Sequence, residues 1–223
     1  MSKIGDIAQA FCGRGGKRLR PRLCKAVFQR CGGQGDLAPV CEAIECFHKA
    51  SLIHDDIQDG DEIRYGRPTV WKEFGVPAAI AAGDWLVARG YQLIASSAFA
   101  NRADLLAAAV DSHVRLCEGQ GDDLLGAPDV SPADDPARYV SVCERKTGEA
   151  FALAAQLGAR AAGVDDAPFR RYGLTFGVLF QICDDLSDGA PAGPLMDLRR
   201  DYENKTAFYR DECALGMWQV DVD

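Results

Sequence analysis

Two segments of this chain share a pattern that sharply narrows the folds open to it: an apolar run of helical period that ends in three aspartates and a glycine. The first follows Asp36, carries Val40, Ile44, Phe47, Leu52 and Ile53, and closes in HDDIQDG, where Gly60 stops it. The second opens after Pro168, carries Phe169, Tyr172, Phe176, Leu179, Phe180 and Ile182, and closes in CDDLSDG at Gly189. In each the aspartates are spaced DDxxD, as Asp55, Asp56 and Asp59 and as Asp184, Asp185 and Asp188. Positions i and i+4 share a helix face, so three carboxylates crowd each helix end where the dipole is already negative. Without a cation that arrangement is repulsive by roughly tenths to 1 kcal/mol per pair. Carboxylates beside apolar surface are costly unless paired or metal-bound. Oxygen-only donors suit Mg²⁺, which keeps several waters and is completed by phosphate oxygens, so the substrate implied is a diphosphate. Facing helices would bring the two triplets together across a cavity.

The rest of the chain reads as helices. Clusters of glycine, proline and aspartate at Cys31–Asp36, Gly60–Pro68, Gly126–Pro136 and Gly163–Pro168 cut it into pieces of helical length. Further helices are expected over Ala78–Ala98, Asp104–Leu125 and Ala137–Ala162, and no strand is expected. The fold class is therefore all-α, a bundle of about seven or eight helices. Gly189–Gly193 reads as a loop, and the charged run Asp197–Lys205 as helix or lid.

A formal net charge of −8 argues against nucleic acid and anionic membrane surfaces as partners. Against that background the basic stretch GRGGKRLRPR at 13–22 reads as a local anion pocket. The nine cysteines are scattered, with no CxxC pair, which fits a reducing cytosol better than a disulfide framework or a zinc site. No segment has the uninterrupted apolar length of a membrane span, and the N-terminus lacks the apolar core of a secretion signal, so a cytoplasmic location is expected.

With these landmarks in order, the chain resembles the trans-prenyltransferase (polyprenyl diphosphate synthase) family. The resemblance is carried by GGKRLRP at 15–21, FHKASLIHDDIQD at 47–59, RYGRPTVW at 64–71, GD at 83–84, GQGDDL at 119–124, KTG at 146–148 and FGVLFQICDDLSD at 176–188. It implies the isoprenoid synthase fold, an α-helical bundle around a central cavity, and a homodimer. It implies an enzyme that condenses an allylic prenyl diphosphate with isopentenyl diphosphate, with Mg²⁺ held by Asp55, Asp56, Asp59, Asp184, Asp185 and Asp188. Gly16, Lys17, Arg20 and His48 match the isopentenyl diphosphate site. Arg64, Lys146, Gln181 and Lys205 match positions around the allylic diphosphate and reacting carbon, and Thr147 joins Gln181 in turning oxygen toward the nascent cation. Phe47, Phe176 and Phe180 are candidates for the apolar walls.

The chain departs from that family in three places. Tyr65 stands where the family usually has a second consecutive arginine, with Arg67 as the nearby replacement. Ala50, five residues before the first triplet, is small where many short-chain enzymes are aromatic, which points to a product of twenty carbons or longer. The chain also stops early after Asp188, so a single domain over 1–223, shortened at its C-terminus, is expected. A terpene cyclase or other prenyl-cation enzyme, or a non-catalytic regulatory subunit of a synthase, are the alternatives on the same fold.

Overall fold

The computed structural model describes residues 3–125, 135–190 and 192–213, so most of the expected break at Gly126–Pro136 lies outside the described residues. The chain divides into two compact units, Met1–Arg22 with Gly35–Leu106 and Leu23–Gln34 with Ala107–Asp223. Helix α2 (Leu19–Arg30) and helix α6 (Arg102–Leu125) each pass through a boundary between them.

The first unit contains α1 (Lys3–Cys12), α3 (Ala38–Gln58), α4 (Val70–Phe74) and α5 (Val76–Ala95). Helix α3 starts close to Asp36, but Leu37 and not Asp36 holds the cap position; Asp36 lies one residue before it and accepts from the Ala38 amide at 2.9 Å, and Pro39 occupies the first turn. It ends because Asp59 caps it and Gly60 takes the left-handed conformation at φ 72°. Its apolar face packs on α5, and the contact depends on glycine. A Cβ on Gly83 would lie 2.2 Å from His54 Nε2, and one on Gly90 would lie 2.5 Å from the Phe47 ring. Phe11, Cys46, Ala50, Ile53, Val70, Ala79, Ala82 and Leu86 form the buried core. Ala50 is thus packed inside this unit's core.

The expectation of no strand fails at one place. Ile63–Arg64 (β1) and Arg67–Pro68 (β2) pair as an antiparallel hairpin with Arg64 opposite Arg67. The turn residues Tyr65 and Gly66 both have positive φ, 53° and 71°, the signature of a two-residue hairpin loop. Tyrosine at such a position gives no turn signal in sequence, which is why the hairpin was invisible there.

The second unit holds α7 (Pro136–Cys143), a π-helical segment (Glu144–Gly148), α8 (Glu149–Ala161), α9 (Ala167–Ser187) and α10 (Ala192–Glu212). The expected helix over Ala137–Ala162 is therefore interrupted at the KTG motif by a widened turn of the kind that often marks functional positions. Alanine-rich α8 is buried along most of its length and lies directly on α9, where a Cβ on Gly173 would sit 2.5 Å from the Phe151 carbonyl oxygen. Helix α9 ends at Asp188, with Gly189 at φ 89°. The ambiguous run Asp197–Lys205 is helical and lies within α10. All nine cysteines are free thiols, and no helix among the described residues is long and apolar enough to cross a membrane.

Candidate active site

The two aspartate triplets are built alike. In the first unit, Asp56 turns inward: its side chain is 1% exposed and is ion-paired to Arg64 Nε, while Arg64 Nη2 reaches Asp61 at 3.3 Å. Asp55 is half-buried and Asp59 exposed, one turn apart beside it. Burial pushes the Asp56 carboxyl up, against the pull of the Arg64 guanidinium. Its Oδ2 is buried with no hydrogen-bond partner among the described residues. A buried carboxylate oxygen left in that state is costly, and a cation at the triplet would satisfy it.

In the second unit, Asp185 turns inward in the same manner. Its Oδ2 accepts from the Tyr139 hydroxyl at 2.5 Å and its Oδ1 from Gln181 Nε2 at 2.7 Å. Gln181 is oriented in turn by Thr147, whose hydroxyl donates to the Gln181 carbonyl oxygen at 2.7 Å. Asp184 and Asp188 are exposed at the i and i+4 positions. Burial and the bond to Asp185 push the Tyr139 hydroxyl far up, so it remains a donor at any ordinary pH. The chain Thr147–Gln181–Asp185–Tyr139 ties the KTG segment and α7 to the second triplet. Close backbone contact makes this possible: a Cβ on Gly177 would lie 2.6 Å from Gly148 Cα and 3.1 Å from the Thr147 carbonyl oxygen.

The donor set fits Mg²⁺: every candidate ligand is a carboxylate oxygen, and among the described residues no three His, Cys, Asp or Glu side chains converge as a ready-made cage. Mg²⁺ is usually held by one or two carboxylates, with waters and substrate phosphate completing the shell.

Beside the first triplet the basic loop forms a second candidate site. Gly15, Gly16 and Arg18 all have positive φ, at 51°, 100° and 50°, which folds the loop back on itself. Lys17 is exposed, and Arg18 pairs with Glu42 at 2.8 Å. Arg20, its Nε enclosed, places Nη1 3.4 Å from His48 Nε2. Because a guanidinium only donates, His48 Nε2 is the acceptor and its proton sits on Nδ1. Burial, then the charges of Arg20, Lys49 and Arg64, hold His48 well below its ordinary range, so it is neutral at pH 7. Burial also pushes Arg20 down to about 10.

The remaining expected residues have plainer surroundings. Lys146 pairs with Asp123 at 2.6 Å, joining KTG to the GQGDDL motif. Lys205 pairs along its own helix with Asp201 at 2.7 Å and lies 4.4 Å from the Tyr202 ring centroid. Arg67 is exposed. Phe176 and Phe180 pack against Phe151, at 5.1 and 5.4 Å between centroids, and line a groove of about 400 Å³ between α9 and α10 with Arg199 and Glu203. Phe47 packs against Tyr91 at 5.0 Å.

Sequence reading missed Lys49 and Tyr139. Nothing in sequence singles out Tyr139. Lys49 carries a signal, because it falls on the stripe of Cys46, Ala50 and Ile53 that faces the core.

Residues 1–192 match the polyprenyl synthetase family. The chain belongs to that family. Among polyprenyl synthetase relatives it is 38% identical over 179 residues to a short chain isoprenyl diphosphate synthase of Methanothermobacter thermautotrophicus, covering 78% of this chain and 54% of that protein. It is 36% identical over 192 residues to a geranylgeranyl diphosphate synthase of Sulfolobus acidocaldarius, covering 82% and 58%. The chain thus spans little more than half the length of these curated relatives. A crystal structure of a polyprenyl synthase from Caulobacter crescentus, complexed with calcium and isoprenyl diphosphate, superposes with TM-score 0.76 at 27% identity, covering 100% of this chain and 74% of that one. The all-α isoprenoid synthase fold follows from these likenesses and from the helices themselves.

Proposed function

We propose that this polyprenyl synthetase joins an allylic prenyl diphosphate to isopentenyl diphosphate. The observation that supports the reading is that the first unit carries two polar side-chain groups of different chemistry. One is the oxygen triplet Asp55, Asp56 and Asp59, suited to a metal-bound diphosphate. The other is the group of Gly16, the cations Lys17 and Arg20, and neutral His48, which suits a diphosphate without metal. A cyclase, which ionises one allylic diphosphate, has no use for the second.

Mg²⁺ held by Asp55, Asp56 and Asp59 and by Asp184, Asp185 and Asp188 would neutralise the diphosphate as it leaves the allylic carbon. The solved relative with calcium and isoprenyl diphosphate supports a divalent cation and a prenyl diphosphate as ligands of this fold. Arg64 in the first unit and Lys146 and Lys205 in the second are the candidate cations for the leaving diphosphate. Arg64 is bonded to Asp56 through Nε and to Asp61 through Nη2, and Lys146 is only 35% exposed. Thr147 donates its proton to Gln181, so its lone pairs and the Gln181 carbonyl form a local negative edge toward the developing allylic cation. Attack by the isopentenyl double bond forms the new C–C bond, and the departed diphosphate takes the proton. Apolar enclosure matters because water would quench the cation. Relatives named geranylgeranyl diphosphate synthase support a product of twenty carbons or longer. A homodimer is inferred by likeness to the family.

Asp55→Ala and Asp184→Ala test the metal sites. Each is expected to abolish turnover with the circular dichroism spectrum unchanged, and full activity in both would remove the diphosphate-clamp reading.

A further inference from the structure

Lys49 is fully buried, yet among the described residues no carboxylate is bonded to its ammonium; its partners are the carbonyl oxygens of Arg14 at 2.7 Å and Gly15 at 2.9 Å and the Tyr65 hydroxyl at 3.4 Å. The ammonium also lies 4.4 Å from the Tyr65 ring centroid and 5.6 Å from that of Phe11. A buried cation is expensive unless its donors are satisfied, and here satisfaction comes from the backbone of the basic loop itself. The loop closes tightly over this pair. A Cβ on Gly15 would come within 2.9 Å of the Tyr65 ring, and one on Gly16 would lie 3.4 Å from Lys49 Nζ and 3.5 Å from the Tyr65 hydroxyl. Tyr65 is itself held at a positive φ of 53°, a conformation that a bulky residue adopts only when its surroundings demand it.

We propose that Lys49 and Tyr65 act together as the positioning pair of the isopentenyl diphosphate site, with Lys49 supplying from helix α3 the positive charge that the missing second arginine would have brought from the hairpin. Lys49 holds the Arg14–Gly15 carbonyls and so sets the left-handed turn that presents Gly16, Lys17 and Arg20. Tyrosine, not arginine, stands at 65 because a guanidinium there would meet a buried ammonium of like charge. The inference rests on the proposed reading of the basic loop as a diphosphate site. It implies that Tyr65→Arg, which restores the family's arginine in this chain, impairs the site.

The test uses the full chain with Lys49→Met, Tyr65→Arg and the double variant. Steady-state kinetics would be measured with each substrate varied, alongside calorimetric binding of inorganic pyrophosphate. Lys49→Met is expected to raise KM for isopentenyl diphosphate by about tenfold or more, with kcat and the allylic KM changed less than about threefold. Tyr65→Arg is expected to raise the same KM, and the double variant to recover most of the loss because the like-charge contact is gone. A merely structural lysine would move both KM values and kcat together. Unchanged KM and pyrophosphate affinity in Lys49→Met, or a lower KM in Tyr65→Arg, overturns the proposal. Should Lys49→Met fail to fold, Tyr65→Arg, at an exposed hairpin turn, carries the test alone. A wild-type chain that elongates and binds pyrophosphate while the variants match it refutes only the pair. A wild-type chain that does neither refutes the diphosphate reading and the pair with it.

Discussion

Tyr139→Phe isolates one hydrogen bond in the second triplet. The substitution keeps the ring and removes only the hydroxyl that donates to Asp185 Oδ2 at 2.5 Å. Gln181 remains on the other oxygen at 2.7 Å, so the carboxylate loses one of two donors in a half-buried setting. Hydrogen bonds to charged groups contribute about 1.5–3 kcal/mol, and an unsatisfied acceptor retains its desolvation cost. Without metal, the variant should therefore lose about 2 kcal/mol of stability, or roughly 4–8 °C in Tm for a chain of this size. Freed from Tyr139, Asp185 holds Gln181, and through it Thr147, less firmly in place, so kcat should fall by about tenfold. The Mg²⁺ concentration for half-maximal rate should rise alongside it. Thermal melts in chelator and initial rates across a Mg²⁺ series give both readouts. A variant that melts within about 1 °C of the parent and keeps its kcat and Mg²⁺ dependence would refute the account of Asp185 as a carboxylate held in place by Tyr139.

Two further outcomes follow from the same geometry. Gly177→Ala would place a Cβ 2.6 Å from Gly148 Cα and 3.0 Å from the Phe151 ring, against backbone that cannot swing aside. It should cost about 1–3 kcal/mol by denaturant titration and shift the Thr147–Gln181 contact, and a variant with parental midpoint and activity would contradict the close approach of α9 to the KTG segment. His48 is held neutral by burial and nearby cations, so its folded pKa lies below the unfolded value of about 6.5. Its contribution to stability is full above pH about 6.5 and is lost as pH falls toward the folded pKa. Bound pyrophosphate, by adding negative charge, should raise the His48 pKa. Imidazole NMR titration, assigned with His48→Gln, checks both, and a pKa of about 6.5 or higher without ligand would contradict the burial argument.

Much of this arrangement was legible in sequence because the signals were local. Pro168, in the first turn, and Gly60 and Gly189, in left-handed backbone, mark helix ends, and the Gly60 and Gly189 ends carry the triplets. The inward turn of Asp56 and Asp185 was not legible, because it depends on Arg64 and Tyr139, partners fixed by the hairpin and by α7. The hairpin itself hides behind a Tyr–Gly turn, and the π-helical segment at KTG depends on packing of Gly148 against Gly177 rather than on propensity. Lys49 shows the opposite case: helical periodicity put it on the buried stripe, and only the structure supplies the carbonyls that make its burial tolerable.

The most direct measurement of the central claim is incubation of the purified chain with Mg²⁺ and geranyl or farnesyl diphosphate, with and without isopentenyl diphosphate, reading products by mass spectrometry. The account predicts a prenyl diphosphate longer by five-carbon units that forms only when isopentenyl diphosphate is present. A hydrocarbon or alcohol formed equally well without it, or no product at all, would contradict chain elongation.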